Sequence, residues 1–210
     1  MPPSSHPIPP ARSASAKGRR TSESILATAL KIMGEEGYAN LTIGRIAAAT
    51  GMRKGNLQYH FPSKPGLLRA VLRFQVDRQK ESWAAAYAVA PREPLDCLRY
   101  MIRYELSLNA DEVVKARAKE KWAFAAHDDE GRRIAADWYS WVAERYAELI
   151  GAIDAAANSR TRRVRAATMY ALLEGSAPYF GKTGRAAGAI PGLGQGLETA
   201  ALAIARGLAR

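Results

Sequence analysis

The chain has 210 residues, 48% of them hydrophobic, a formal charge of +11 and one cysteine, Cys97. Its length and apolar content suit one large or two small globular domains, and a lone cysteine excludes a disulfide framework within the chain, which fits a reducing compartment. No apolar run approaches membrane-spanning length and the N-terminus lacks an apolar signal core, so the sequence reads as a cytoplasmic protein without a membrane partner.

The charge is uneven. Residues 1–80 hold 13 Lys/Arg and 4 Asp/Glu, which places +9 of the +11 there. A polyanion partner for that segment is the natural expectation. Residues 1–19, rich in Pro, Ser and Ala, read as a disordered basic tail, with Lys17, Arg19 and Arg20 as a candidate arm for a DNA backbone or minor groove.

Everything after residue 20 reads as helix. The first helix is expected from Thr21 or Ser22 to about Glu36, with Ile25, Ala29, Ile32 and Met33 as its apolar stripe and Gly37 at its end. Thr42 suits the N-cap of a short second helix, Gly51 permits a tight turn, and a third helix runs from about Arg53 to His60. Ser63 should cap a fourth helix, with Pro65 in its first turn, continuing to about Tyr87. Pro91 and Pro94 mark a break. Further helices are expected at roughly 94–108, 111–126, 129–157, 160–180 and 193–209, with the glycine-rich residues 181–196 as a flexible loop. Cys97 falls on the first of these as a small core residue.

Two short helices meeting at Gly51 form a helix-turn-helix pattern. Ile43, Ile46, Ala47, Met52, Leu57 and Phe61 supply a buried edge. Arg53, Lys54, Asn56, Gln58, Tyr59 and His60 are left outside, and they suit phosphates and base edges rather than catalysis. Arginine or lysine pairs with guanine and asparagine or glutamine with adenine, so Arg53, Lys54, Asn56 and Gln58 are the candidates for bases.

This segment resembles the TetR family of bacterial repressors. The matching residues are Glu35, Glu36, Gly37, Tyr38, Thr42, Ile43, Ile46, Ala47, Gly51, Gly55, Leu57, His60, Phe61, Ser63, Lys64 and Leu67. The resemblance implies an all-α fold: a three-helix DNA-binding domain over residues 20–66, then a helical ligand-binding and dimerisation domain over 67–210. It implies backbone contacts from Thr42, Tyr59, His60 and Lys64, and a close approach of the third helix to DNA at Gly55. Many relatives carry tyrosine where this chain has Gln58, which leaves the division of roles between Gln58 and Tyr59 open. It further implies a homodimer on a palindromic double-stranded operator, released by a small-molecule effector that moves the fourth helix. An activator, or a small-molecule-binding protein with non-specific DNA affinity, are the alternatives.

In the helical remainder, Trp122, Phe124, Trp141 and Tyr170, with Glu120 and Glu174 near them in sequence, could enclose a cationic or aromatic ligand. The segments at residues 120–130 and 171–175 are loosely similar to the BetI-type branch of the family. Helices 160–180 and 193–209 carry Ala166, Ala167, Ala171, Ala200, Ala201, Ala203 and Ala205, small residues that suit a dimer surface or packing within the chain.

No enzyme, metal or cofactor is expected. The three histidines are His6, His60 and His127, and His127-Asp128-Asp129 suits helix capping better than a metal. Gly175 to Thr183 ends in Gly-Lys-Thr, but five residues separate its glycines where a phosphate loop needs four.

Overall fold

The computed structural model describes residues 16–180 and 190–208. Among them lie nine α-helices and two short 3-10 turns. The helices are α1 (Ala16–Glu36), α2 (Ile43–Thr50), α3 (Lys54–His60), α4 (Lys64–Ala88), α5 (Pro94–Asn109), α6 (Glu112–His127), α7 (Asp129–Ile153), α8 (Ser159–Gly175) and α9 (Leu193–Arg206). No described helix is long and apolar enough to cross a membrane.

The sequence places most boundaries within a few residues because the caps are local chemistry. The side chains of Thr42, Ser63, Glu93, Asp111, Asp128 and Asn158 each accept a backbone N–H in the first turn of the following helix. Three expectations need correction. The basic run at 17–20 is helical, not tail: α1 starts at Ala16, because a helix anchored by its packed stripe extends readily through Ala, Lys and Arg. Residues 1–15 of the expected tail lie outside the described residues. The helix expected at 129–157 ends at Ile153, where Asp154 accepts the Ala157 N–H and Asn158 starts the next helix. The loop expected at 181–196 closes earlier, since residues 193–196 are already in α9, drawn in by the partly buried Leu193 and the buried Leu197. Residues 181–189 of that loop lie outside the described residues.

The chain has two apolar cores. The first gathers Ile25, Ala29, Ile32 and Met33 of α1 with Leu41, Ile46, Leu57, Leu67, Leu68 and Val71. The second joins Leu72, Val76 and Trp83 to Leu98, Met101, Ile102, Trp138, Val142, Tyr146, Ile150, Met169, Leu173 and Ala201. Helix α4 is a single rod serving both, with the change of core between Val71 and Leu72. Cys97 is buried in the second core, and burial pushes its thiol pKa up.

Candidate DNA-binding surface and effector cavity

Three local devices set the geometry of α2 and α3. Thr42 Oγ1 accepts the Arg45 N–H at 3.1 Å and fixes the start of α2. Arg45 in turn pairs with Glu36 at 2.6 Å and ties α2 to the end of α1, holding the Glu36 carboxyl below its usual range. Gly51, at φ +67, then takes the left-handed conformation that reverses the chain without strain. Of the seven residues of α3, Leu57 alone is buried, fully, in the first core.

The remainder of α3 faces outward. Arg53, Lys54, Gly55, Asn56 and Gln58 are exposed, and Tyr59 is 78% exposed. His60 is half-buried; its Nδ1 lies 3.0 Å from Ser22 Oγ, which pins the end of α3 to α1. Lys64 Nζ lies over the Tyr38 ring, 5.1 Å from its centroid, in the first turn of α4. No cavity atom or neighbouring side chain approaches the site of a Cβ at Gly55 within 4 Å. Thus Thr42, Arg53, Lys54, Gly55, Asn56, Gln58, Tyr59, His60 and Lys64 all lie on or flank the α2–α3 unit, with His60 partly committed to α1.

Two ion pairs brace α4 against the α6–α7 corner. Arg69 grips Asp128 with Nη2–Oδ2 at 2.6 Å and Nε–Oδ1 at 3.0 Å, and Arg73 pairs with Glu130. Asp128 also caps α7 by accepting the Gly131 N–H at 2.7 Å. Of the His127-Asp128-Asp129 group, Asp128 is therefore the cap. The Arg69 guanidinium, then the Gly131 amide, hold the Asp128 carboxyl at a pKa of about 2. A carboxyl lowered in the fold stabilises it above the unfolded value near 4, and that stabilisation is lost as pH falls toward 2. Accordingly, denaturation midpoints of wild type and Asp128→Asn should differ at pH 5 and converge at pH 2; a constant gap across this range would contradict the assignment.

A cavity of about 720 Å³ opens between α4, α5, α6 and α8. Its wall includes Trp83, Tyr104, Trp122, Trp138 and Tyr170, with Arg78, Lys115, Arg117, Lys119 and Lys121 as cations and Glu105 and Glu174 as carboxyl groups. Glu105 is buried and accepts a hydrogen bond from Tyr146 Oη at 3.1 Å; burial pushes its pKa up to about 7. Glu174 accepts a hydrogen bond from the Tyr139 hydroxyl. Lys121 is 1% exposed, with Nζ 4.9 Å from the Tyr139 ring centroid; burial lowers its pKa and the Glu174 charge opposes this. Trp138 Nε1 donates to Tyr170 Oη at 3.0 Å.

The expected aromatic set divides. Trp122, Tyr170 and Glu174 line the cavity; Phe124, Trp141 and Glu120 do not. Two residues along a helix lie on nearly opposite faces, so Phe124 turns away from Trp122 and packs on Tyr38 at 6.2 Å. Trp141 stacks on Trp138 at 5.6 Å and meets Trp83 edge-on at 5.3 Å, on the side of those rings away from the cavity lining.

Residues 25–71 match the family model described as bacterial regulatory proteins, tetR family. The regulator AcrR of Shigella flexneri is 26% identical over 102 residues, 49% of this chain and 47% of that protein. A transcriptional regulator from Saccharomonospora viridis, solved in complex with choline, superposes with a TM-score of 0.71 at 19% identity, covering 87% of this chain and 94% of that one. AibR, solved with isovaleryl coenzyme A and operator DNA, does so with a TM-score of 0.61 at 19% identity over 87% and 96%. The similarity to the tetR family model thus lies in the helix-turn-helix segment, 47 of the 210 residues. The chain spans about half the length of the curated relatives it matches, and 87% of it shares the fold of these two solved structures.

Within that fold, the sequence motif locates α2 and α3 but misses two charged residues of the cavity. Glu105 and Lys121 both sit where their helices turn inward: Glu105 follows buried Met101 and Ile102 by one turn, and Lys121 precedes buried Ala125 by one turn. A charge on an apolar stripe was the available signal.

Proposed function

We propose that this TetR-family protein is a DNA-binding transcriptional repressor that acts as a homodimer and leaves its operator when a small molecule occupies the cavity. The α3 surface carries the reading: a seven-residue helix buries one side chain and presents Arg53, Lys54, Asn56, Gln58 and Tyr59 outward. A short helix so held suits the major groove. Arg53, Lys54, Asn56 and Gln58 read bases; Thr42, Tyr59, His60 and Lys64 hold the phosphate backbone, and Gly55 brings the helix close to the duplex. Relatives named as regulators, and AibR bound to operator DNA, support this.

Residues 20–66 form the DNA-binding domain and 67–210 the effector and dimerisation domain in this reading, with α4 joining them. Gln75, Gln79 and Trp83 of α4 line the cavity, while Leu67 and Val71 of the same helix pack on the DNA-binding core. An effector that favours one α4 position therefore changes the placement of α3; it acts only through different affinities for the two states. The dimer forms on α8 and α9. Ala166, Ala201 and Ala205 are spent on packing within the chain and Ala171 lines the cavity, whereas Ala167, Ala200 and the 58% exposed Val164 remain free for a second copy. Across a two-fold axis, two copies of α3 meet successive major grooves about 34–36 Å apart or a multiple of it.

Purified protein incubated with a random DNA pool should enrich a palindromic site. On that site Gln58→Ala costs about 1–3 kcal/mol and relaxes preference at one base pair. Lys64→Ala weakens binding to all sequences and lowers the salt slope by about 1. Equal, weak retention of every oligonucleotide would refute the proposal.

A further inference from the structure

Helix α6 carries a cation at every second residue, Lys115, Arg117, Lys119 and Lys121, and all four line the cavity. Arg78 of α4 adds a fifth, against the carboxyl groups of Glu105 and Glu174. Two of the five are spent: Arg78 on Glu81, and Lys115 on Glu112 and the Phe180 carbonyl. Lys119 is exposed. Arg117 and Lys121 lie one turn apart on α6, and neither forms an ion pair among the described residues. Lys121 is 1% exposed and meets the Tyr139 ring and the field of Glu174, with no carboxylate at ion-pair distance. A buried cation without a hydrogen-bonded counter-ion is costly.

Arg117 stands at a joint. Its Nε is buried and has no hydrogen-bond partner among the described residues. The side chain lies flat against α1: a Cβ built on Gly34 would stand 2.8 Å from Arg117 Nε and 3.1 Å from its Cγ. A glycine at position 34 is what admits it so near the α1 backbone. Leu30, one turn earlier on α1, is buried in the first core and also lines the cavity. Helix α1 therefore borders the cavity directly, by a route that does not pass along α4. The carboxyl groups leave this positive charge standing. Glu174 is bonded to Tyr139 and Glu105 to Tyr146, and burial holds the Glu105 carboxyl at a pKa of about 7. An arginine fork can donate through Nε and Nη together to one carboxylate. The two acids nearby favour a monoanion over a phosphate dianion, and the rings of Trp83, Tyr104, Trp138 and Tyr170 would cover an apolar body.

We propose that the cavity takes an organic carboxylate gripped by Arg117 and Lys121, and that Arg117 leaves its bed on Gly34 to meet it and so loosens α1 from α6. This rests on the reading that the helical domain binds an effector, and adds to it the ligand's class and a residue of α6 that reports the ligand to α1. The carboxylate gives Arg117 Nε the acceptor, and Lys121 the counter-ion, that the chain withholds.

Three naphthalenes of one skeleton and different charge test this by calorimetry on the full chain without DNA: 2-naphthoate, 2-naphthalenemethanol and 2-naphthylmethylammonium. The carboxylate should bind saturably, one per chain, about tenfold or more tighter than the alcohol, with the ammonium weakest. Arg117→Met keeps an apolar stem on Gly34 and should erase most of the gap between carboxylate and alcohol; Lys121→Met should narrow it. Arg78→Met should leave it unchanged, because that charge is spent on Glu81. Unchanged alcohol affinity shows that the variants fold. Amide hydrogen exchange reads the second step. Saturating 2-naphthoate should raise exchange over residues 30–36 of α1 in wild type and Lys121→Met, and not in Arg117→Met, whereas a ligand that merely stabilised the chain would lower it. Preference for the alcohol or the ammonium overturns the proposal and leaves the effector reading standing. A gap that survives Arg117→Met, exchange in α1 unmoved by bound carboxylate, or no binding by any of the three also overturns it. The operator selection is independent, so the DNA reading can fail or stand apart from this one.

Discussion

Leu57→Ala destabilises the chain by about 2–5 kcal/mol and abolishes selective DNA binding, while cavity binding persists. Leu57 is fully buried and is the one side chain by which α3 enters the core of Ile25, Ile46 and Leu67. Truncation leaves a void in a small core that has little else to hold the recognition helix. The adjacent Gln58 is exposed, so Gln58→Ala should leave the denaturant midpoint within about 0.5 kcal/mol of wild type. Urea unfolding followed beside operator binding separates the two neighbours. Wild-type operator affinity in the folded Leu57→Ala protein would refute the role of this anchor.

Trp138→Ala costs about 3–5 kcal/mol and removes cavity binding. The ring is 3% exposed, stacks on Trp141 at 5.6 Å and meets Tyr170 at 6.3 Å. Its loss leaves a large void and takes from the Tyr170 hydroxyl its indole donor. Trp138→Phe restores the ring without the donor and should recover most of the stability. Thermal unfolding measures the stability, and thermal-shift titration of effector candidates on wild type and variant reads the binding. A Trp138→Ala protein as stable as wild type would show that these rings pack less tightly than their geometry indicates.

The sequence exposes those parts of the molecule whose causes lie close together along the chain. Thr42, Gly51 and Ser63 act within one helical turn, so α2, α3 and the start of α4 follow from reading them in order. The cavity has no such local cause. Trp122 and Phe124 are near in sequence and far apart in role, because the helix turns Trp122 to the cavity and Phe124 to the apolar cores and Tyr38. Glu105 and Glu174 are distant in sequence and share one wall, brought there by α5 and α8. The start of α1 was misplaced for a different reason: a composition poor in core residues also permits a helix that borrows its stability from the packed turns beyond it.

Position 55 has one more consequence. A glycine inside a helix loses about 1 kcal/mol against alanine, and the space around Gly55 would admit a methyl group without contact. The folded chain alone thus gives no motive for the smaller residue. In the proposed complex the duplex presses against the helix there, and the bare spot is the mould mark of that contact.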